Sequence, residues 1–166
     1  MDISRRRLFT KALNRTGLVA GEDRQKLPWE RDDITFTDQC TRCGKCAEHC
    51  ETQIIVNGDG GFPSLDFKKG ECTFCYACAE KCPEPLFYEE TQNPWNQTAG
   101  ISECCLAFSG VECRSCGDSC ETRAIRFQLS AGAVAHPIIN PKDCSGCGAC
   151  IAPCPVSAIK MENSNE

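Results

Sequence analysis

Apolar residues come in short bursts along this chain, and two stretches follow the same plan. Gln53-Ile54-Ile55-Val56 runs into Asn57-Gly58-Asp59-Gly60-Gly61 and then into a second burst from Phe62 to Phe67. A glycine-rich turn flanked by short β-branched and aromatic runs predicts a hairpin. The order returns downstream as Ala124 to Leu129, a turn over Ser130 to Gly132, and Ala133 to Ile139. Short helices are expected at about Ala77 to Cys82 and Ala149 to Cys154, each stopped by the proline that follows. Uninterrupted apolar stretches such as Ile54-Ile55-Val56 fall far below the ~18 residues of a membrane-spanning helix, so no membrane span is expected.

These elements leave little hydrocarbon to bury. Leu, Ile, Val and Phe make up 31 of 166 residues, about 19 %, which for a metal-free chain lies at the edge of disorder. The 17 cysteines change that picture. Three groups share the spacing C-x2-C-x2-C-x3-C: Cys40, Cys43, Cys46, Cys50; Cys72, Cys75, Cys78, Cys82; and Cys144, Cys147, Cys150, Cys154. Three thiolates set three residues apart can wrap three corners of an iron–sulfur cube, and a fourth, four residues on, points to a second cube, which is the bacterial ferredoxin arrangement. Exchanging the fourth cysteines pairs Cys40, Cys43, Cys46 with Cys82, and Cys72, Cys75, Cys78 with Cys50.

A distorted group, Cys105, Cys113, Cys116, Cys120, has seven residues in its first gap instead of two, and the adjacent Cys104 could replace Cys105. By the same exchange Cys144, Cys147, Cys150 pair with Cys120, and Cys105, Cys113, Cys116 with Cys154. Three [4Fe-4S] clusters follow from the regular spacing, and a fourth follows if the long gap folds back. The rival readings are a disulfide scaffold and zinc. An odd cysteine count, the repeated triplets and the lack of a secretory apolar segment speak against the first, and zinc usually takes separated C-x2-C pairs.

The cysteines also repeat over a longer period. Cys46 and Cys116 are 70 residues apart, as are Cys50 and Cys120, while Cys78 and Cys150, and Cys82 and Cys154, are 72 apart. Cys50-Glu51-Thr52 is matched by Cys120-Glu121-Thr122, and Cys82-Pro83 by Cys154-Pro155. We read two copies of a two-cluster module in tandem: an N-terminal extension over 1–36, module 1 over 37–88, a linker over 89–102 and module 2 over 103–162. The expected fold is small α+β, ferredoxin-like, with the clusters acting as the core.

A net charge of −5 and a pI near 5.2 argue against nucleic-acid binding, which wants a basic face, and no RNA or DNA partner is expected. No phosphate-binding glycine loop, Ser/His/Asp set or HExxH motif is present, and an enzyme is not expected. His49 beside Cys50 and His136 before Pro137 read as surface or structural residues. Phe74, Tyr76 and Phe87 read as apolar cover for the sulfurs, Lys45 and Lys81 as solvated, and Trp29 and Trp95 as packing residues.

The first 36 residues lack cysteine and are rich in arginine: Arg5, Arg6, Arg7, Arg15, Arg24 and Arg31. Ser4-Arg5-Arg6-Arg7-Leu8-Phe9 is similar to a twin-arginine export signal. The apolar segment such a signal needs is replaced by Lys11, Asn14, Arg15, Glu22 and Asp23. Retention in the cytoplasm is therefore expected, with Arg5, Arg6 and Arg7 available to dock a partner.

One family joins these features. The arginine tail, Pro28-Trp29, Cys40-Thr41-Arg42-Cys43, Cys72-Thr73-Phe74-Cys75-Tyr76-Ala77-Cys78, Cys105-Leu106-Ala107, Val111-Glu112-Cys113-Arg114, Cys144-Ser145-Gly146-Cys147-Gly148-Ala149-Cys150 and Cys154-Pro155-Val156-Ser157-Ala158-Ile159 together resemble the NapF family, ferredoxin-type proteins of periplasmic nitrate reductase systems. The resemblance implies a cytoplasmic accessory that interacts with the catalytic subunit of that reductase before export and helps mature its iron–sulfur cluster. The residues alone speak only of clusters able to pass single electrons, which leaves an electron carrier and a cluster-stapled binding module as alternatives.

Overall fold

The computed structural model describes residues 24–129 and 134–163. Regular structure is sparse and mixed. Among the described residues four one-turn helices, α1 (Phe36–Gln39), α2 (Lys45–Glu48), α3 (Ala77–Glu80) and α4 (Ser115–Asp118), are interspersed with six short strands. The strands are β1 (Ile55–Asn57), β2 (Pro63–Leu65), β3 (Gln97–Ile101), β4 (Ile125–Gln128), β5 (His136–Ile139) and β6 (Ile159–Asn163), paired as three separate two-stranded antiparallel sheets.

Both expected hairpins form. In the first, Ile55 faces Leu65 and Asn57 faces Pro63, with a 3₁₀ turn over Asp59–Gly61 at the tip. In the second, Ile125 faces Ile139 and Gln128 faces His136; its turn residues 130–133 lie outside the described residues. The helix expected at Ala77 to Cys82 is α3, where Lys81 N–H donates to the Ala77 carbonyl at 3.1 Å in helical i−4 fashion.

Three expectations need correction. Residues 149–154 run as consecutive turns and not as a helix. Ile151 donates to Gly148 and Cys154 to Ile151, both i−3 bonds, and Pro153 has no N–H for the Ala149 carbonyl. The stretch 89–102 is more than a connector, because its residues 97–101 are β3, hydrogen-bonded along their length to β6 with Ile101 opposite Ile159. Residues 24–36 do not trail from the body. Trp29 N–H donates to the Pro94 carbonyl, Tyr88 N–H donates to the Trp29 carbonyl at 2.7 Å, and Arg31 N–H donates to the Leu86 carbonyl at 3.0 Å. Leu27 and Trp29 are buried there, and Glu30 is buried with them, accepting from the Leu27 amide and paired with Arg24.

Apolar packing gathers into two small clusters, and cysteine is part of each. Leu27, Ile54, Ile55, Leu65 and Phe67 surround Cys78 in one; Ala99, Ile125 and Ile159 surround Cys116 and Cys150 in the other. Ile151 and Met161 touch both. The largest side chains among the described residues with under 2 % exposure are only Leu27, Ile54 and Leu86. Hydrocarbon on this scale suits a fold that needs a further staple.

Candidate functional site

The loops that carry the regular cysteine groups share one backbone device. The residues just before the second cysteine and just after it are left-handed in all three: Arg42 and Gly44, Phe74 and Tyr76, Gly146 and Gly148, with φ between 55° and 81°. Two reversals of hand inside seven residues curl the loop, so that three thiols turn to one side instead of alternating. A non-glycine residue held there costs about 1–2 kcal/mol, so the curl at Arg42, Phe74 and Tyr76 is enforced by what surrounds it. Three of the four fourth cysteines have their own repeated turn. Gln53, Arg123 and Ser157, each three residues past Cys50, Cys120 and Cys154, are left-handed and donate back to the cysteine carbonyl at 3.1–3.2 Å.

These loops bring the thiols together across the groups. At the first site Cys40, Cys43, Cys46 and Cys82 stand round a small hollow, open at its mouth, with Phe36, Leu86 and Phe87 as apolar wall. At the second, Cys72, Cys75, Cys78 and Cys50 surround a hollow walled by Trp29, Ile54, Leu65, Phe74 and Tyr76. Cys105, Cys113, Cys116 and Cys154 surround a hollow beside Ile101, Leu106 and Ile159 at the site we number fourth. At the third site Cys120, Cys144 and Cys150 share one apolar cluster, and Cys147 and Cys144 are the thiols whose charge bears most on Cys150. Cys104 is exposed, 3.0 Å from Ser102 Oγ, and does not line the fourth hollow.

The distorted group closes by folding its extra residues into a compact loop. Phe108 and Ser109 donate back to Cys105, Val111 donates to Leu106 at 2.9 Å, and Ala107 is fully buried beneath them. The seven-residue gap thus returns Cys113 to the side of Cys105.

The four sites are neighbours in a fixed order. Cys46 adds to the charge felt by Cys78, Cys147 to that felt by Cys72, and Cys116 to that felt by Cys150. The middle step is a hydrogen bond: Cys72 N–H donates to the Cys147 carbonyl at 2.8 Å. Trp95 braces it, its Nε1 donating to the Ser145 carbonyl at 3.0 Å and its ring lying edge-on to Phe67 and Phe74.

The chemistry of the donor set defines what fits. All seventeen cysteines are free thiols. At the first, second and fourth sites they ring hollows with apolar walls. Burial, reinforced by neighbouring thiols, pushes Cys78 and Cys150 up to about 12. Burial likewise lifts Cys46, Cys72 and Cys116 to about 11. Such thiols stay protonated until a cationic centre takes the proton's place. Ferric and ferrous iron bridged by sulfide meets that demand.

The remaining candidates behave as surface or packing residues. His49 Nδ1 pairs with its own helix at the Lys45 carbonyl, and His136 lies edge-on to Phe108. Lys81 pairs with Glu80. Phe74, Tyr76 and Phe87 line the first two hollows, as expected of cover for sulfur. Sequence reasoning missed β3 and the junction at Trp95; an alternating Gln97, Ala99, Ile101 pattern was the available signal. Arg5, Arg6 and Arg7 lie outside the described residues.

Fold and site together define an iron–sulfur protein of the ferredoxin type that carries multiple [4Fe-4S] clusters, and comparison with known proteins agrees. The family model of the 4Fe-4S dicluster domain matches twice, over residues 39–85 and 111–158. The chain is 52 % identical over 136 residues to the ferredoxin-type protein NapF of Haemophilus influenzae, covering 82 % of this chain and 77 % of that one. It is 45 % identical over 154 residues to the protein of the same description in Escherichia coli K12, covering 90 % and 94 %. The chain belongs to the NapF family of ferredoxin-type proteins. A formate dehydrogenase–heterodisulfide reductase–formylmethanofuran dehydrogenase complex from Methanospirillum hungatei shares 22 % identity over 75 % of this chain and 52 % of that one, with a TM-score of 0.33, too slight a likeness to argue from. No helix among the described residues is long and apolar enough to cross a membrane.

Proposed function

We propose that the chain is a non-enzymatic, cytoplasmic accessory of a periplasmic nitrate reductase, which meets the catalytic subunit before export and helps mature its iron–sulfur cluster. Four [4Fe-4S] clusters are held in two tandem two-cluster modules. Their ligands are Cys40, Cys43, Cys46 and Cys82; Cys50, Cys72, Cys75 and Cys78; Cys120, Cys144, Cys147 and Cys150; and Cys105, Cys113, Cys116 and Cys154. The observation that carries this reading is three thiol quartets, each drawn from two groups, with Cys120, Cys144 and Cys150 gathered in one apolar cluster, in a chain so close in sequence to NapF relatives.

When bound, such clusters accept and release one electron at a time. The chain's own residues do the rest. The cysteine thiolates hold each cluster, and Phe36, Phe74, Tyr76, Phe87 and Leu106 limit water around it. Cys43 and Cys75 are exposed, which leaves the first two sites a way to the surface for electron exchange. Arg5, Arg6 and Arg7 serve as a docking segment for the acidic or neutral face of the partner.

The second reading, an electron carrier, is favoured by the Cys72–Cys147 hydrogen bond, which joins the two modules at their cluster loops. The two readings separate in a strain lacking this protein. The expected outcome is accumulation of catalytic subunit short of its iron–sulfur cluster, read by iron content and electron paramagnetic resonance. A fully loaded subunit that cannot be reduced in the cell would instead establish the carrier.

A further inference from the structure

Only two of the four fourth cysteines carry a hydroxyl two residues on. Cys50-Glu51-Thr52 and Cys120-Glu121-Thr122 stand against Cys82-Pro83-Glu84 and Cys154-Pro155-Val156. Thr52 Oγ1 lies 3.7 Å from Cys50 Sγ, and Thr122 Oγ1 lies 3.6 Å from Cys120 Sγ. Sulfur is a large acceptor, so these are contact distances for an O–H···S bond. The repeated left-handed turn at Gln53 and Arg123 closes onto each cysteine carbonyl and fixes the threonine over the sulfur. Cys50 and Cys120 belong to the second and third sites, the two that meet at the Cys72–Cys147 junction.

We infer that Thr52 and Thr122 are positioning residues that raise the reduction potentials of the two inner clusters by donating hydroxyl hydrogen bonds to Cys50 and Cys120. The inference rests on the ligand assignment proposed above. A cysteine sulfur bound to iron has no proton, so the hydroxyl must be the donor. The bond withdraws charge from the sulfur and favours the reduced cluster, which carries one more electron and therefore one more negative charge. With a cluster bound, each hydroxyl would keep its proton and each cysteine its bond to iron when the cluster takes up an electron.

The fourth site has donors of its own, as Cys120 also has in the backbone amides of residues 123–125. Cys154 accepts from the Ala158 backbone amide at 3.2 Å, which no side-chain change removes, and Ser115 Oγ stands 3.9 Å from Cys113, at the outer limit of contact. Thr52 and Thr122 are thus the closer of the side-chain donors, and they sit where an electron crossing between modules would pause.

The test uses the full chain, purified anaerobically with its clusters, in which Thr52→Val and Thr122→Val are compared with Thr52→Ser and Thr122→Ser. Iron and sulfide are counted first, then each cluster is titrated by electron paramagnetic resonance at poised potentials. With iron unchanged, each Val variant should lower the potential of one cluster, so that at a fixed ambient potential it is about threefold less reduced, the scale of one net hydrogen bond. Ser should restore it. The effect should be larger at half-buried Thr52 than at exposed Thr122, where water competes. Unmoved potentials at full iron overturn the inference and leave the ligand assignment standing; an iron count in the unmodified protein that does not match four cubes strikes the assignment itself. Should a Val variant shed iron, pulsed nuclear double resonance on the unmodified reduced protein decides. A deuteron coupled to the cluster within seconds of transfer to D₂O, too fast for a buried amide, supports the hydroxyl donor, and its absence refutes it.

Discussion

The first and fourth sites solve one problem from opposite directions. At the first, Cys40, Cys43 and Cys46 are close in sequence, and the backbone is bent to gather them, with Arg42 held left-handed at φ 55° between two of the cysteines. At the fourth, Cys105 and Cys113 are far apart in sequence, and the residues between them fold on themselves over buried Ala107, leaving Arg114 with an ordinary φ of −129°. One loop draws on strain and the other on length. Closing a longer loop costs little additional entropy, and a left-handed non-glycine residue such as Arg42 costs about 1–2 kcal/mol. A stretched spacing is therefore no sign of a lost site.

Removing a thiol from each type of loop gives the largest effect. Cys105→Ser should abolish or cripple the fourth cluster alone, taking iron from about sixteen to about twelve per chain in the four-cube assignment. Cys104→Ser should leave iron and colour unchanged, because Cys104 is exposed and off the hollow. Equal losses from the two variants would mean that the folded loop does not choose between the neighbours.

A smaller effect sharpens the comparison within the curled loops. Gly148, with φ 81°, faces Phe67 so closely that an added Cβ would lie 2.1 Å from its ring, whereas at Gly44, with φ 78°, a Cβ would meet nothing within 4 Å. Gly44→Ala should cost only the backbone penalty of about 1–2 kcal/mol. Gly148→Ala should cost clearly more, since Phe67 must move and the junction at Cys147 with it. Denaturant unfolding of the loaded proteins, followed by loss of cluster absorbance, ranks the two; equal costs would show that the junction is loosely packed.

Much of this was legible in the chain because thiol spacing is a strong local signal. The quartet membership of Cys40, Cys43, Cys46 and Cys82 follows from the exchange of fourth cysteines, and the glycine turn at 57–61 announced its hairpin. What escaped was non-local. β3 exists only because β6, some sixty residues away in the chain, pairs with it, and residues 24–36 are held by partners far along the chain, among them Pro63, Leu65, Leu86, Tyr88 and Pro94. Pro153 was visible but underweighted: it sits inside the stretch expected to be helical and removes the bond the helix needed. The choice between Cys104 and Cys105 depends on which way the folded gap presents each side chain, which spacing does not encode.

The central claim is that four thiol quartets enclose four cubes of iron and sulfide in place of a hydrocarbon core. Iron and acid-labile sulfide, counted per chain on protein purified without oxygen and paired with spin integration of the fully reduced state, test it most directly. The account predicts about sixteen of each and about four reducible cubes. A count near twelve would remove the fourth site, and a compact, colourless protein free of iron would contradict the account as a whole.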